Sequence, residues 1–222
     1  SQRLLDDSGR LILRYRRLVS MYGPTPHDLW DRYLQIYGLD GVFPVVDTPL
    51  GRLACVASEE ILYPEIARSL ALRGAEVLLH SSSEVASPRL TPQDVAKRAR
   101  AYENCAWVVS ANSGGIRGVD IPESSADGLS KVVDYLGEVR AEAGQGESMA
   151  ANATIDIAAQ RRYRRHCSAQ GAVARVDHTI EIDDPARPRR HARKRAHGGP
   201  VRGHRSFADP AARPQAASTK LR

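Results

Sequence analysis

The stretch that decides the fold is residues 51–65, Gly-Arg-Leu-Ala-Cys-Val-Ala-Ser-Glu-Glu-Ile-Leu-Tyr-Pro-Glu. Residues 53–57 are apolar at every position, which predicts a strand buried on both of its faces. Ser58 then opens a run of three polar residues, where the strand is expected to end. Because proline suits the first turn of a helix, a helix is predicted from Pro64 to Arg73. The stretch therefore predicts a strand that passes almost directly into a helix.

Further strands and helices are predicted on both sides of this stretch. The strands are expected at residues 11–15, 42–46, 75–79, 107–110 and 149–157, with a hairpin over 131–142. Thr91 is a typical N-cap with proline after it, so a second helix is predicted over 91–104, with Val95, Ala99 and Tyr102 as its apolar face. This order of elements indicates an α/β or α+β domain.

The stretch from residue 21 to 37 is less regular and predicts a long loop with a short helix. It contains Trp30, Tyr33 and Tyr37, and loops of this size are often binding loops. These rings either line a substrate pocket or form one packed face of the helix, since residues three and four apart are neighbours on a helix.

Charge is distributed very unevenly along the 222 residues. Residues 185–222 hold 11 Lys and Arg and one acid, whereas the rest of the chain holds 21 basic and 25 acidic residues. A segment of this composition buries too little apolar surface to offset its ordering entropy, so it is predicted to be disordered. Any electrostatic attraction to nucleic acid belongs to this tail alone.

Two classes of protein are disfavoured by composition. No apolar run approaches the roughly 18 to 20 residues that a membrane helix needs, and the N-terminus does not resemble a signal peptide. The three cysteines, Cys55, Cys105 and Cys167, are odd in number and widely spaced. They predict neither a disulfide framework nor a zinc site, so a cytoplasmic location is expected.

Residues 51–65 resemble the nucleophile segment of the nitrilase superfamily of carbon–nitrogen hydrolases. In that family an apolar strand ends in Cys, an acid follows closely, and an aromatic-Pro-Glu sequence opens a helix. The resemblance extends through residues 66–79, 98–104, 109–112 and 141–144, and it covers roughly residues 5–165. It implies a nitrilase-like four-layer α-β-β-α sandwich, incomplete at its N-terminal side. The domain is therefore placed at residues 1–165 and the basic tail at 166–222.

The resemblance also implies a Glu–Lys–Cys triad, which this sequence does not carry intact. The family's Cys falls on Ser58 and its Lys on Arg17. Cys55 is no substitute, because it lies three residues back inside the predicted buried strand. Since Glu59 is the first glutamate in the sequence, the family's Glu is expected upstream of Ser1. Ser58 is then either a working nucleophile or a small residue at a retired site.

Other candidate site residues also have two interpretations. His80 is either a base for Ser58 or a polar strand end. Glu59 and Glu60 are either paired carboxylates of a site or one structural and one solvated acid. Asn112 belongs either to an anion-binding turn or to a strand exit. The candidate substrate-binding residues are Glu59, Trp30 and Asn112.

The resemblance implies hydrolysis of a small amide, nitrile or carbamoyl compound, without a metal or an organic cofactor. Impaired catalysis is expected because of the triad changes. The alternative is a non-catalytic member that binds a ligand or a partner, and nucleic-acid binding through the tail is a weaker third hypothesis. The family's habit of self-association predicts a homo-oligomer that uses the helices at 64–73 and 91–104.

Overall fold

The computed structural model describes residues 1–20, 23–87, 90–126, 128–145 and 148–166. The predicted basic tail therefore lies outside the described residues, apart from His166. Within the described ranges, no helix has the length and apolar character needed to span a bilayer.

The described residues form eight strands and four α-helices. The strands are β1 (Gln2–Leu5), β2 (Leu11–Tyr15), β3 (Val45–Thr48), β4 (Gly51–Ala57), β5 (Val77–Ser82), β6 (Trp107–Asn112), β7 (Lys131–Val133) and β8 (Val139–Glu142). The helices are α1 (Trp30–Tyr37), α2 (Pro64–Leu72), α3 (Pro92–Asn104) and α4 (Ile157–His166). The predicted short helix in the loop, the strand–helix passage at β4 and α2, and the late hairpin are confirmed.

Strands β3 to β8 form one sheet in sequence order. Its centre is parallel, because β4, β5 and β6 are joined through helices on one face, and the outer pairs are antiparallel. Helices α2 and α3 cover one face, while β1 and β2 form a small antiparallel sheet over the other. The α/β class and the nitrilase-like layering are confirmed.

Strand β4 is buried on both faces, as its apolar sequence predicts. Ala54 and Val56 pack against the helix layer, whereas Cys55 and Ala57 pack against the small sheet through Leu13 and its neighbours. Cys55 is only 4% exposed, and burial raises the pKa of its thiol to about 11. Cys55 is therefore a core residue and not a displaced nucleophile.

Helix α3 buries a face that the sequence analysis did not predict. Val95 and Tyr102 are more than half exposed, so the predicted apolar face is wrong. The buried positions include Lys97, Arg100 and Asn104. Charged residues are tolerated there because they find partners: Lys97 Nζ lies 2.7 Å from Glu84, and Arg100 donates to the Ile61 carbonyl at 3.1 Å.

The strand predicted over residues 149–157 is also wrong. Residues 149–156 have no regular secondary structure and pair with no described strand, and α4 begins at Ile157. Helix α4 docks through two buried polar side chains. Gln160 donates to the carbonyls of Glu76 and Cys105, and Arg164 donates to those of Ala75 and Cys105. These bonds satisfy carbonyls at the starts of strands, which explains why a helix with few apolar residues packs here.

Candidate active site

Ser58 lies at a sharp junction between β4 and the helix layer. It opens a 3₁₀ turn, Ser58–Leu62, that leads into α2. Its φ is +52°, in the left-handed region that costs a residue other than glycine about 1–2 kcal/mol. Ser58 is half-buried, so part of the residue remains accessible to solvent. Sharp strand-to-helix turns of this kind hold the nucleophile of other hydrolases at the end of a sheet.

Glu60 fastens this junction to the segment that carries Arg17. Its carboxylate is completely buried and accepts four hydrogen bonds. The donors are the Tyr15 hydroxyl at 2.8 Å and the backbone N–H groups of Leu18, Val19 and Ala57 at 2.6, 3.0 and 3.3 Å. Burial raises the pKa of Glu60 although these donors oppose the shift. The interpretation of Glu60 as a structural acid is supported.

Arg17 reaches the Ser58 junction through an ion pair with Glu59. Both side chains are partly exposed, and Arg17 Nε also donates to the Val19 carbonyl at 2.8 Å. The structure therefore brings the segment that carries Arg17 next to the segment that carries Ser58. Glu59 forms an ion pair, whereas a solvated acid was expected beside the structural one.

His80 is held by two hydrogen bonds and does not end its strand. Strand β5 continues to Ser82, and the His80 ring is 2% exposed. Its Nε2 lies 2.9 Å from the Ser58 carbonyl oxygen, and its Nδ1 lies 2.9 Å from the Ser110 hydroxyl. A carbonyl only accepts, so Nε2 carries the proton. Because both ring nitrogens are engaged, His80 is not placed to take a proton from the Ser58 hydroxyl.

Burial lowers the pKa of His80 to about 4, and the nearby Lys97 charge adds to this shift. Between pH 4 and 6.5 the unfolded chain therefore binds more protons than the folded one, so stability falls as the pH falls. We expect the wild type to lose up to about 3 kcal/mol more than His80→Gln over this interval, the equivalent of the pKa difference. Urea unfolding at several pH values would measure this, and parallel pH profiles would contradict it.

Asn112 cross-links loops at the ends of the parallel strands. Its amide oxygen accepts from the Glu84 N–H at 2.8 Å, and its amide nitrogen donates to the Gly128 carbonyl at 2.8 Å. Its own N–H donates to the Ser130 hydroxyl. These bonds favour a structural role at the strand exit over direct substrate binding.

Trp30 belongs to an aromatic row on α1. Its ring stacks on Tyr33 at 6.3 Å, and Tyr33 contacts Tyr37 at 4.9 Å. The Arg16 guanidinium lies 3.7 Å from the centre of the Tyr37 ring, and the Tyr33 hydroxyl donates to the Gly41 carbonyl. These contacts favour the packed helix face over a substrate pocket.

An open surface pocket of about 530 Å³ lies at the other end of β4 from Ser58. The turn between β3 and β4 and one side of α4 form its wall, with Arg161, Arg162 and Arg165 among the lining residues. Because this pocket lies beside Gly51 and not beside Ser58, its volume does not describe the candidate active site. The described residues contain no group of three His, Cys, Asp or Glu side chains suited to a metal ion.

Comparisons with known proteins agree on one family. The sequence model of the carbon-nitrogen hydrolase family matches residues 1–165. The nitrilase and fragile histidine triad fusion protein NitFhit of Caenorhabditis elegans is 33% identical over 108 residues, 49% of this chain and 24% of NitFhit. The match to the crystal structure of that protein covers 73% of this chain and 39% of the NitFhit chain, with 25% identity and a TM-score of 0.59.

Two further relatives are named as an amidase and a formamidase. The deaminated glutathione amidase of Rattus norvegicus is 29% identical over 168 residues, 73% of this chain and 49% of the relative. The formamidase of Bacillus thuringiensis is 31% identical over 118 residues, 52% of this chain and 32% of the relative. The chain thus spans between a quarter and a half of the length of the curated relatives that it matches.

Proposed function

Because this chain belongs to the carbon-nitrogen hydrolase family, we propose that it is an amidase-type domain with impaired catalysis. Its ligand is a small amide, nitrile or carbamoyl compound that binds beside Ser58 and Arg17. The names of the formamidase and of the deaminated glutathione amidase support the amide class. The chemistry needs neither a metal nor an organic cofactor.

One observation carries this proposal: the left-handed Ser58 at the strand–helix junction, with the Arg17–Glu59 ion pair beside it. Acyl transfer requires a nucleophile at a fixed position and a positive charge for the oxygen that becomes an anion. Ser58 takes the first position and Arg17 the second. The Arg17 guanidinium is always charged and binds carboxylates and oxyanions well, but it is a poor proton carrier.

Impairment follows from the nucleophile and its neighbours. A serine hydroxyl is a weak nucleophile unless a positioned base removes its proton. Of the described groups that contact the Ser58 backbone or directly follow it in sequence, His80 is engaged at both nitrogens, Glu60 accepts four hydrogen bonds, and Glu59 pairs with Arg17. None of these three is free to activate the hydroxyl.

The second candidate function is a non-catalytic member that binds a ligand or a partner. The exposed apolar side chains of the helix layer favour it, because Tyr63, Val95 and Tyr102 are 41%, 52% and 53% exposed. We propose this layer as the contact of a homo-oligomer. Nucleic-acid binding through residues 185–222 and a cytoplasmic location stay predictions, and deletion of those residues would test the first.

Ammonia release from a panel of small amides, nitriles and carbamoyl compounds tests the proposal. We expect the wild type to release ammonia no faster than Ser58→Ala, because the hydroxyl has no base. We expect Ser58→Cys to gain measurable turnover, because a thiol is intrinsically far more nucleophilic near neutral pH.

The three proteins separate the hypotheses. Turnover by the wild type that disappears in Ser58→Ala would show an active serine hydrolase and contradict the impairment. Silence of a folded Ser58→Cys protein would contradict the amidase proposal and favour the non-catalytic member. Circular dichroism and unfolding midpoints of the variants provide the control for folding.

A further inference from the structure

The carbonyl of Ser58 is held by a side chain from the neighbouring strand. His80 on β5 donates from Nε2 to this oxygen at 2.9 Å, and Ser110 on β6 lies 2.9 Å from Nδ1 of the same ring. His80 and Ser110 are 2% and 3% exposed. The neighbouring strands β5 and β6 therefore contribute to one hydrogen-bonded row that ends at the residue directly after β4.

The polarity of this row is fixed by its end. The Ser58 carbonyl accepts, so Nε2 donates and Nδ1 is left with a lone pair. The Ser110 hydroxyl must then donate to Nδ1, which locks the ring in one tautomer and one orientation. Lys97 lies near enough to act electrostatically on the ring and favours its neutral form. The ring is thus an oriented donor and not a proton acceptor for Ser58.

The row acts on the residue that carries backbone strain. Ser58 has a φ of +52°, whereas Ala57 before it is extended with a φ of −107°. Glu60 holds the N–H of Ala57 at 3.3 Å, and His80 holds the carbonyl of Ser58. The Val56–Ala57 peptide before the strained residue and the Ser58–Glu59 peptide after it are therefore each hydrogen-bonded to a buried side chain, as strained conformations require.

We propose that His80, oriented by Ser110, is a positioning residue that keeps Ser58 in its left-handed conformation. This role rests on the proposed function of Ser58 as the nucleophile position. Loss of the His80 donor lets residue 58 relax toward ordinary φ values, so the side chain leaves its position at the strand–helix junction. The ring takes no part in proton transfer.

Ser58→Cys protein tests the clamp, because a thiol at position 58 has two independent readouts. The first is the rate of alkylation by iodoacetamide, resolved by peptide mapping to separate position 58 from Cys55, Cys105 and Cys167. The second is the kcat and KM of ammonia release. The clamp variants are His80→Gln, which can place a donor near the Nε2 position, and His80→Asn, which is too short to do so. Val133→Ala, a core change on β7, controls for general loss of stability.

In the Ser58→Cys background, His80→Asn is expected to slow alkylation at position 58 by roughly five- to thirtyfold, the factor by which strain of about 1–2 kcal/mol lowers the population of the clamped conformation. We expect kcat to fall by a similar factor with KM unchanged, because only the molecules that keep residue 58 in place hold the nucleophile in reacting geometry. His80→Gln should retain most of both rates, and Ser110→Ala should lie between.

Equal alkylation of the Gln, Asn and Val133→Ala proteins would overturn the clamp. An equal decrease of the alkylation rate in these three proteins would also overturn it, since that pattern reflects a loss of stability alone. If the Ser58→Cys protein is alkylated but releases no ammonia, the proposed function fails, and the alkylation series still decides whether His80 positions residue 58.

Discussion

Glu60→Ala is expected to destabilise the domain by about 3–5 kcal/mol, because several buried donors are left without an acceptor. The Glu60 carboxylate is completely buried and accepts from the Tyr15 hydroxyl and from three backbone N–H groups. Without it, three buried donors and the part-buried Val19 N–H lose their acceptor, and each unsatisfied buried donor costs about 1–3 kcal/mol before relaxation. The segment that carries Arg17 would also lose its attachment to the Ser58 junction.

Glu59→Ala provides a matched control, because it removes the same side chain one residue earlier. The Arg17–Glu59 pair is partly exposed, so its loss should cost about 1 kcal/mol or less. Urea unfolding of both variants at pH 7 measures the difference. Similar losses for the two variants would contradict the interpretation of Glu60 as the structural acid.

Lys97→Met is expected to have a comparable effect, about 3–5 kcal/mol. The Lys97 side chain is fully buried on α3, with Nζ 2.7 Å from Glu84 and 3.6 Å from Asp94. Asp94 keeps a second partner, because Lys131 lies 2.7 Å from it. The loss of Lys97 therefore falls mainly on Glu84, which is 5% exposed and becomes a buried carboxylate without a cation.

A double-mutant cycle separates this charge effect from a loss of packing. Glu84→Gln removes the charge that Lys97→Met would strand, so the double variant should be more stable than Lys97→Met alone. Arg98→Met, at the exposed position next to Lys97, should change the unfolding free energy by less than about 1 kcal/mol. An Arg98→Met protein as unstable as Lys97→Met would contradict the account, as would additive effects in the cycle.

The sequence predicts those parts of the fold in which one local signal decides the outcome. The all-apolar run of β4 and the proline at the start of α2 are such signals, and both elements are confirmed. The prediction of the buried face of α3 is wrong because the contacts that decide it, such as Lys97 with Glu84, join residues from separate parts of the sequence. Helix α4 was missed for the same reason, since it docks by donating to distant carbonyls.

The same division holds for the candidate site. Ser58 and Arg17 were selected by the resemblance to the family, and the structure brings their segments together. The roles of Glu60 and His80 were not predicted as they are found. The role of Glu60 depends on hydrogen bonds with residues that lie 41 to 45 positions away in the sequence. The role of His80 depends on one with a residue 22 positions away. No periodicity in a single sequence records such partners.

Peptide-mapped acylation tests most directly whether residue 58 occupies a nucleophile position that lacks activation. The wild type and Ser58→Cys are incubated with an activated acyl donor such as p-nitrophenyl acetate, and the acylated residue is located by mass spectrometry. We expect position 58 to become acylated in Ser58→Cys, whereas Ser58 itself stays unmodified. Acylation of wild-type Ser58 at a comparable rate would contradict the account, as would a thiol at position 58 that is not acylated in folded protein.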